Sequence, residues 1–167
     1  MAQTHLRKYA VIERLGKMDV DLIDVTLVCD TGSIADNQVI STYVEIPNIA
    51  SVDGGAGLIH SILLLDEGDL GGAVDLVFQT DNTTIGDINE DIGLSDADAR
   101  DIIGYVSMTT YFDGLDWQMS TKTNIGMTYK CASSTKSLYV ACINRSGGAL
   151  DYNLAGDLKL RIGVIKD

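Results

Sequence analysis

Residues 57–79, reading G-L-I-H-S-I-L-L-L-D-E-G-D-L-G-G-A-V-D-L-V-F-Q, constrain the fold more than any other stretch of this chain. With a period of two, Leu58, His60, Ile62 and Leu64 fall on one face of a strand and Ile59, Ser61, Leu63 and Leu65 on the other. Such a strand is apolar on both sides and belongs in the middle of a sheet. The acidic, glycine-rich run from Asp66 to Gly72 then turns the chain, and Val74, Leu76 and Phe78 return it as a half-buried strand with Asp75 and Gln79 facing out. The expectation is a hairpin at the centre of a β-protein.

The same alternation recurs along the chain. Ile23, Val25, Leu27 and Cys29 alternate against Asp24 and Thr26, and Ile40, Thr42, Val44 and Ile46 against Ser41, Tyr43 and Glu45. Pro47, the one proline, ends the second of these strands where a missing N–H donor costs little. Short strands are expected over residues 104–111, 116–121 and 127–132, separated by Asp113-Gly114 and Lys122-Thr123-Asn124. The clearest two lie over 138–144 and 157–165, where Leu138, Val140 and Cys142, then Leu158, Leu160, Ile162 and Val164, mark one face. Residues 80–101 are rich in Asp, Asn, Thr and Gly, and Ser95 as N-cap with Asp98 three residues on predicts a short crossover helix between sheets near residues 95–103. The pattern is that of an all-β chain: an antiparallel β-sandwich, jelly-roll-like, with about eight to nine strands. Residues 1–19 lack the alternation and read as an N-terminal arm before a single β-sandwich domain over residues 20–167.

A chain of 167 residues can bury roughly 70% of its unfolded surface around one core. The N-terminus, M-A-Q-T-H-L-R-K, has no apolar signal segment and no apolar run approaches a membrane span, so a soluble protein kept without export is expected, with no membrane partner. Charge is uneven. Residues 1–17 hold Arg7, Lys8, Arg14 and Lys17 against Glu13; residues 18–121 hold Arg100 against 20 acids; residues 122–167 hold seven bases against three acids, for a total of −12. So acidic a body repels phosphates, which argues against nucleic acid as a partner. Three cysteines, Cys29, Cys131 and Cys142, match neither a disulfide framework nor a CxxC metal site and read as buried free thiols.

No pattern of catalytic chemistry emerges, and no enzyme and no cofactor are expected. A metal site of the cupin kind needs at least two imidazoles and a carboxylate, but His60 is accompanied only by His5 in the arm. Asp81, Asp87, Glu90 and Asp91 have the oxygen donors calcium prefers without the spacing of an EF-hand loop, and read as a solvated loop. Neither Gly54-Gly55-Ala56-Gly57 nor Gly147-Gly148 stands between a strand and a helix with a lysine, as a phosphate-binding loop does. A G-x-S-x-G nucleophile is absent, and a triad would have to recruit His60 from an apolar strand. Seven aromatics, Tyr43, Tyr105, Tyr111, Trp117, Tyr129, Tyr139 and Tyr152, are read mostly as core or cap side chains, with a sugar-stacking platform as the alternative.

Several stretches in succession carry a resemblance: G-L-I-H-S-I-L-L-L-D, D-L-G-G-A-V-D-L-V-F, I-G-L-S-D-A-D-A-R-D-I-I-G-Y-V and S-L-Y-V-A-C-I-N-R-S-G-G-A-L-D-Y-N-L-A-G-D-L-K-L-R-I-G-V-I. Together they span about residues 57–165. Their order resembles small structural proteins of tailed bacteriophages that decorate or cement the head. The resemblance implies a β-sandwich on the capsid exterior, made in the host cytoplasm, often a homotrimer, with the major capsid protein and itself as partners and no catalytic residues. In the arm Leu6, Tyr9, Val11, Ile12 and Leu15 are too many apolar side chains for a free tail, so the segment is expected either to pack on its own sandwich or a neighbouring subunit or to dock on the capsid shell. There Arg7, Lys8 and Arg14 would steer the segment onto carboxylates and Tyr9 and Ile12 would anchor it. A carbohydrate-binding module on a virion or cell surface is the alternative.

Overall fold

The computed structural model describes residues 19–166; the expected arm residues Arg7, Lys8, Tyr9, Ile12 and Arg14 lie outside them. Eight strands of six residues or more dominate: β1 (Asp19–Thr26), β3 (Val39–Ile46), β4 (Ala56–Asp66), β5 (Val74–Gln79), β6 (Ile102–Met108), β8 (Gln118–Lys130), β9 (Leu138–Asn144) and β11 (Leu158–Lys166). Three two-residue strands, β2 (Ser33–Ile34), β7 (Phe112–Asp113) and β10 (Leu150–Asp151), complete the set.

The long strands pair antiparallel from the outside inward: β1 with β11, β3 with β9, β4 with β8, and β5 with β6. That is one long ribbon folded back on itself. Rolling the ribbon brings β11 beside β4 and β9 beside β5, giving sheets ordered β1-β11-β4-β8-β7 and β3-β9-β5-β6. The antiparallel sandwich expected from the alternation is present, with jelly-roll connectivity. Its core is formed where Ile23, Val25, Ile62, Leu64, Leu160 and Ile162 of one sheet meet Ile40, Leu76, Phe78, Val140 and Cys142 of the other.

Four local expectations are corrected. Residues 57–79 are not a hairpin, because β4 and β5 belong to different sheets; the turn between them is an arch over the end of the sandwich. Its geometry comes from Asp66, whose carboxylate accepts the N–H groups of Gly68 at 3.0 Å, Leu70 at 3.1 Å and Gly71 at 2.8 Å. Gly71 takes φ +58° there, a left-handed backbone that glycine adopts without the penalty a Cβ brings. His60 is exposed rather than inside. Against β11, Gly163 pairs with Ser61 and Val164 with Ile59, so His60 is an extra residue in β4 and the alternation slips by one; against β8 the larger bulge lies on the other strand, where residues 124–126 face His60 alone. Ile59, Ile62 and Leu64 therefore share the buried face.

That bulge also explains why two short strands over 116–121 and 127–132 are one strand, β8. Lys122-Thr123-Asn124 supplies turn-like chemistry inside a strand, with Asn124 at φ +58° and Gly126 at φ +70°. Finally, residues 80–101 do not cross between sheets. They join β5 to β6, neighbours in one sheet, and the expected helix is a single 3₁₀ turn, Asp98–Asp101. Ser95 does receive the Asp98 N–H on its Oγ at 3.3 Å, but Ile102 and Ile103 are drawn into β6. The loop folds Ile85 and Leu94 back onto Val77 and Ile143, making a second small apolar cluster outside the four-stranded sheet in place of one core.

Leu64, with no exposed surface, should lose about 3 kcal/mol on truncation to alanine, within the usual range for a large-to-small core change. His60→Ala should stay within roughly 0.5 kcal/mol, as for a surface site. Denaturant unfolding of both variants is the check, and a His60 cost equal to that of Leu64 would put the imidazole back inside.

Candidate functional site

The groups that carry reaction chemistry are dispersed or buried. Among the described residues, no three of His, Cys, Asp and Glu gather where a metal ion could be held. Asp81, Asp87, Glu90 and Asp91 are individually exposed; the loop bearing them is tied to β3 through its backbone, with Val39 donating to the Glu90 carbonyl and Asn89 to the Val39 carbonyl. All three cysteines are buried thiols outside any disulfide. Burial pushes the Cys29 thiol up to about 12 and raises that of Cys142 well above the ordinary thiol range, so neither is a nucleophile at neutral pH.

The arch end of the sandwich concentrates polar groups in the interior. Asp66 and Asp157 are both buried, and both carboxylates border Gly68 beside the Tyr152 ring. Burial raises the Asp66 pKa above its ordinary value; the three backbone N–H groups offset part of that rise, and the Asp157 charge adds to it. Tyr111 packs nearby with its hydroxyl donating to the Gly72 carbonyl at 2.7 Å. These groups are engaged in holding the chain, and Asp157 accepts the Leu154 N–H at 2.9 Å in the same way.

The aromatic residues divide as a sandwich requires. Tyr129 and Tyr152 lie in the core, and the Tyr129 hydroxyl donates to the Ile49 carbonyl. Tyr43 packs on the second cluster. On that side the Tyr43 hydroxyl and the Gln79 amide are buried without a hydrogen-bond partner among the described residues. Tyr105 and Trp117 reach the surface at 66% and 37% exposure, and each borders an open groove.

The groove at Tyr105, about 400 Å³, has a floor of Val77, Ile143 and Ile102. At its rim Asp75 accepts from Arg145 Nε at 2.9 Å and from Ser107 Oγ. The groove at Trp117, about 520 Å³, lies on the outside of the five-stranded sheet against Leu63, Leu65 and Met119. Trp117 is steadied there by Phe112, ring centroids 5.9 Å apart. The sequence marked both aromatics as candidates; it did not mark the outward leucines of β4, because a strand apolar on both faces reads as covered on both. Among the described residues no helix is long and apolar enough to cross a membrane.

No family model and no curated protein sequence matches the chain. Among solved structures, one titled Desmodium yellow mottle tymovirus aligns with TM-score 0.30 and 11% identity over 89% of this chain and 80% of that one. A second, infectious bursal disease virus Gx strain, aligns with TM-score 0.18 and 9% identity over 89% of this chain and 40% of that one. Alignments this loose carry no argument about function, and the jelly roll is established by strand order alone.

Asp66 sets a pH dependence whose sign follows from its raised pKa. The native state holds this proton more tightly than the unfolded chain, so its contribution to stability is fully present below the unfolded value of 3.8 and is lost as pH rises through the native pKa. The stability difference between the parent protein and Asp66→Asn should therefore shrink or reverse between about pH 3 and pH 7. A difference that grows with pH in denaturant titrations contradicts the assignment.

Proposed function

We propose that the chain is a virion structural protein that coats or reinforces the outside of a tailed-phage head, bound to the major capsid protein and to copies of itself. The sequence succession over residues 57–165 supports this reading, and so does a fold shared by capsid, lectin and cupin domains. A fold alone does not select among these. The observation that carries the choice is a sandwich whose buried carboxylates, Asp66 and Asp157, are engaged by its own turns, while a broad apolar sheet face is left open by the described residues. Such a molecule acts by being packed against others, and the reading assigns it no catalytic role.

Attachment to the shell is assigned to residues 1–17, with Arg7, Lys8 and Arg14 approaching carboxylates and Tyr9 and Ile12 entering pockets. One observation favours a carbohydrate-binding module instead: exposed Tyr105 offers a ring face beside the carboxylate of Asp75 and the guanidinium of Arg145. Deleting residues 2–17 should leave a folded protein that no longer binds undecorated shells in a co-sedimentation assay. Unchanged shell binding refutes the arm as the attachment element. Glycan binding in the absence of any shell, abolished by Tyr105→Ala, would establish the module instead.

A further inference from the structure

We infer that the outer face of the five-stranded sheet is a self-association surface, covered by the same face of a second copy of this chain. The two sheets treat their outer faces differently. The four-stranded sheet is partly covered by its own chain, since the loop after β5 lays Ile85 and Leu94 over it beside the Tyr105 groove. Nothing described covers the other. Val20 is 72% and Leu22 63% exposed on β1, and Phe112 is 64% exposed beside Trp117 at the opposite edge. Between them β4 turns Leu58, Leu63 and Leu65 outward, opposite the buried Ile59, Ile62 and Leu64. The centre of the face is low and flat, where Gly163 of β11 lies between Leu22 and Ser61 in register.

Charge identifies the occupant. The described residues hold 22 acids against eight bases, so two copies repel over most of their surfaces. On this face two ion pairs neutralise four of the outward charges, Arg161 holding both Asp24 oxygens at 2.8 and 3.3 Å and Lys159 meeting Glu67, while Asp116 beside the Trp117 groove adds one carboxylate. A basic partner, or the chain's own residues 1–17 with four bases and one acid, is drawn to the acidic remainder. The neutral apolar face is where one acidic copy can meet another. Four long strands spaced ~4.8 Å apart, with roughly eight residues at ~3.3 Å each, give about 500 Å² per copy before the Phe112 and Trp117 end is added. Two such faces bury on the order of 1,000 Å² or more, the size of a specific interface. A self-complementary patch closes as a two-fold dimer, in place of the trimer implied by the resemblance to head decoration proteins. The inference concerns this sheet alone and is separate from the assignment of shell binding to the arm.

Sedimentation of the full chain at micromolar concentration tests it, with Leu22→Asp, Phe112→Asp and a 2–17 deletion alongside. Both substituted side chains are exposed in the single chain, so neither variant is expected to unfold, and far-UV circular dichroism verifies that. The expected result is a dimer that the deletion preserves, with each aspartate raising the dissociation constant by a factor of about 10 or more, since it sets an unpaired carboxylate against an apolar surface. A monomeric parent, a trimer, or a dimer indifferent to both substitutions overturns the inference. Dissociation by the deletion but not by the substitutions also overturns it and assigns the contact to residues 2–17.

Discussion

The carboxylate of Asp66 is the interaction on which the architecture depends. A jelly roll is a ribbon that must leave one sheet and enter the other, and between β4 and β5 it does so in seven residues. Asp66 accepts three backbone donors of that arch, from Gly68, Leu70 and Gly71, each a hydrogen bond worth about 0.5–1.5 kcal/mol net. Burying the group is costly, as its raised pKa records, yet the alternative is three N–H groups without acceptors at the end of the core. The arch fixes where β5 begins, and β5 in turn sets the register of both β9 and β6.

The asymmetry between the sheets follows from where the long connections fall. The loop after β5 returns to its own sheet, so its apolar residues find the outer face of β5 and β9 while its acids remain in water. Among the described residues, no connection of the five-stranded sheet lies over the outward side chains of β4, which stay half-buried. A polar exterior strand would have been the ordinary solution for a sheet with one wet side. The apolar one is a property of the sequence that the isolated fold does not use.

Fold class and most strands were legible because alternation picks out side chains that do lie in the core, Ile40 and Ile46 of β3, Leu138, Val140 and Cys142 of β9, and Leu158, Leu160, Ile162 and Val164 of β11. Where legibility failed, local chemistry was ambiguous rather than absent. An acidic glycine-rich turn serves a hairpin and an inter-sheet arch equally well, and only the partner strands decide. His60 interrupts an apolar run in the same way whether it faces in or sits on a bulge; the compensating irregularity is Asn124 and Gly126 on a strand more than sixty residues away. Ser95 and Asp98 formed the capping contact that their spacing predicts, but the β-branched Ile102 and Ile103 paired with β5 in preference to extending a helix. The arm residues Arg7, Lys8, Tyr9, Ile12 and Arg14 lie outside the described residues, so that part of the site rests on sequence alone. The outward leucines were visible in the sequence but carried no mark of being uncovered.

Two kinds of contact, one neutral and one charged, also respond differently to salt. At physiological ionic strength the Debye length is about 8 Å, so charges spread over an acidic body are largely screened and only those at contact range count. In a face-to-face dimer those near charges are already paired within each subunit, Asp24 with Arg161 and Glu67 with Lys159, so association through it should change little between about 50 and 500 mM salt. Binding driven by Arg7, Lys8 and Arg14 to carboxylates would weaken steeply over the same range, because steering between unpaired charges is what salt removes. Measuring self-association and shell binding across that range separates the two surfaces without any mutation. Strong salt dependence of self-association would mean that residues outside the neutral face hold the copies together.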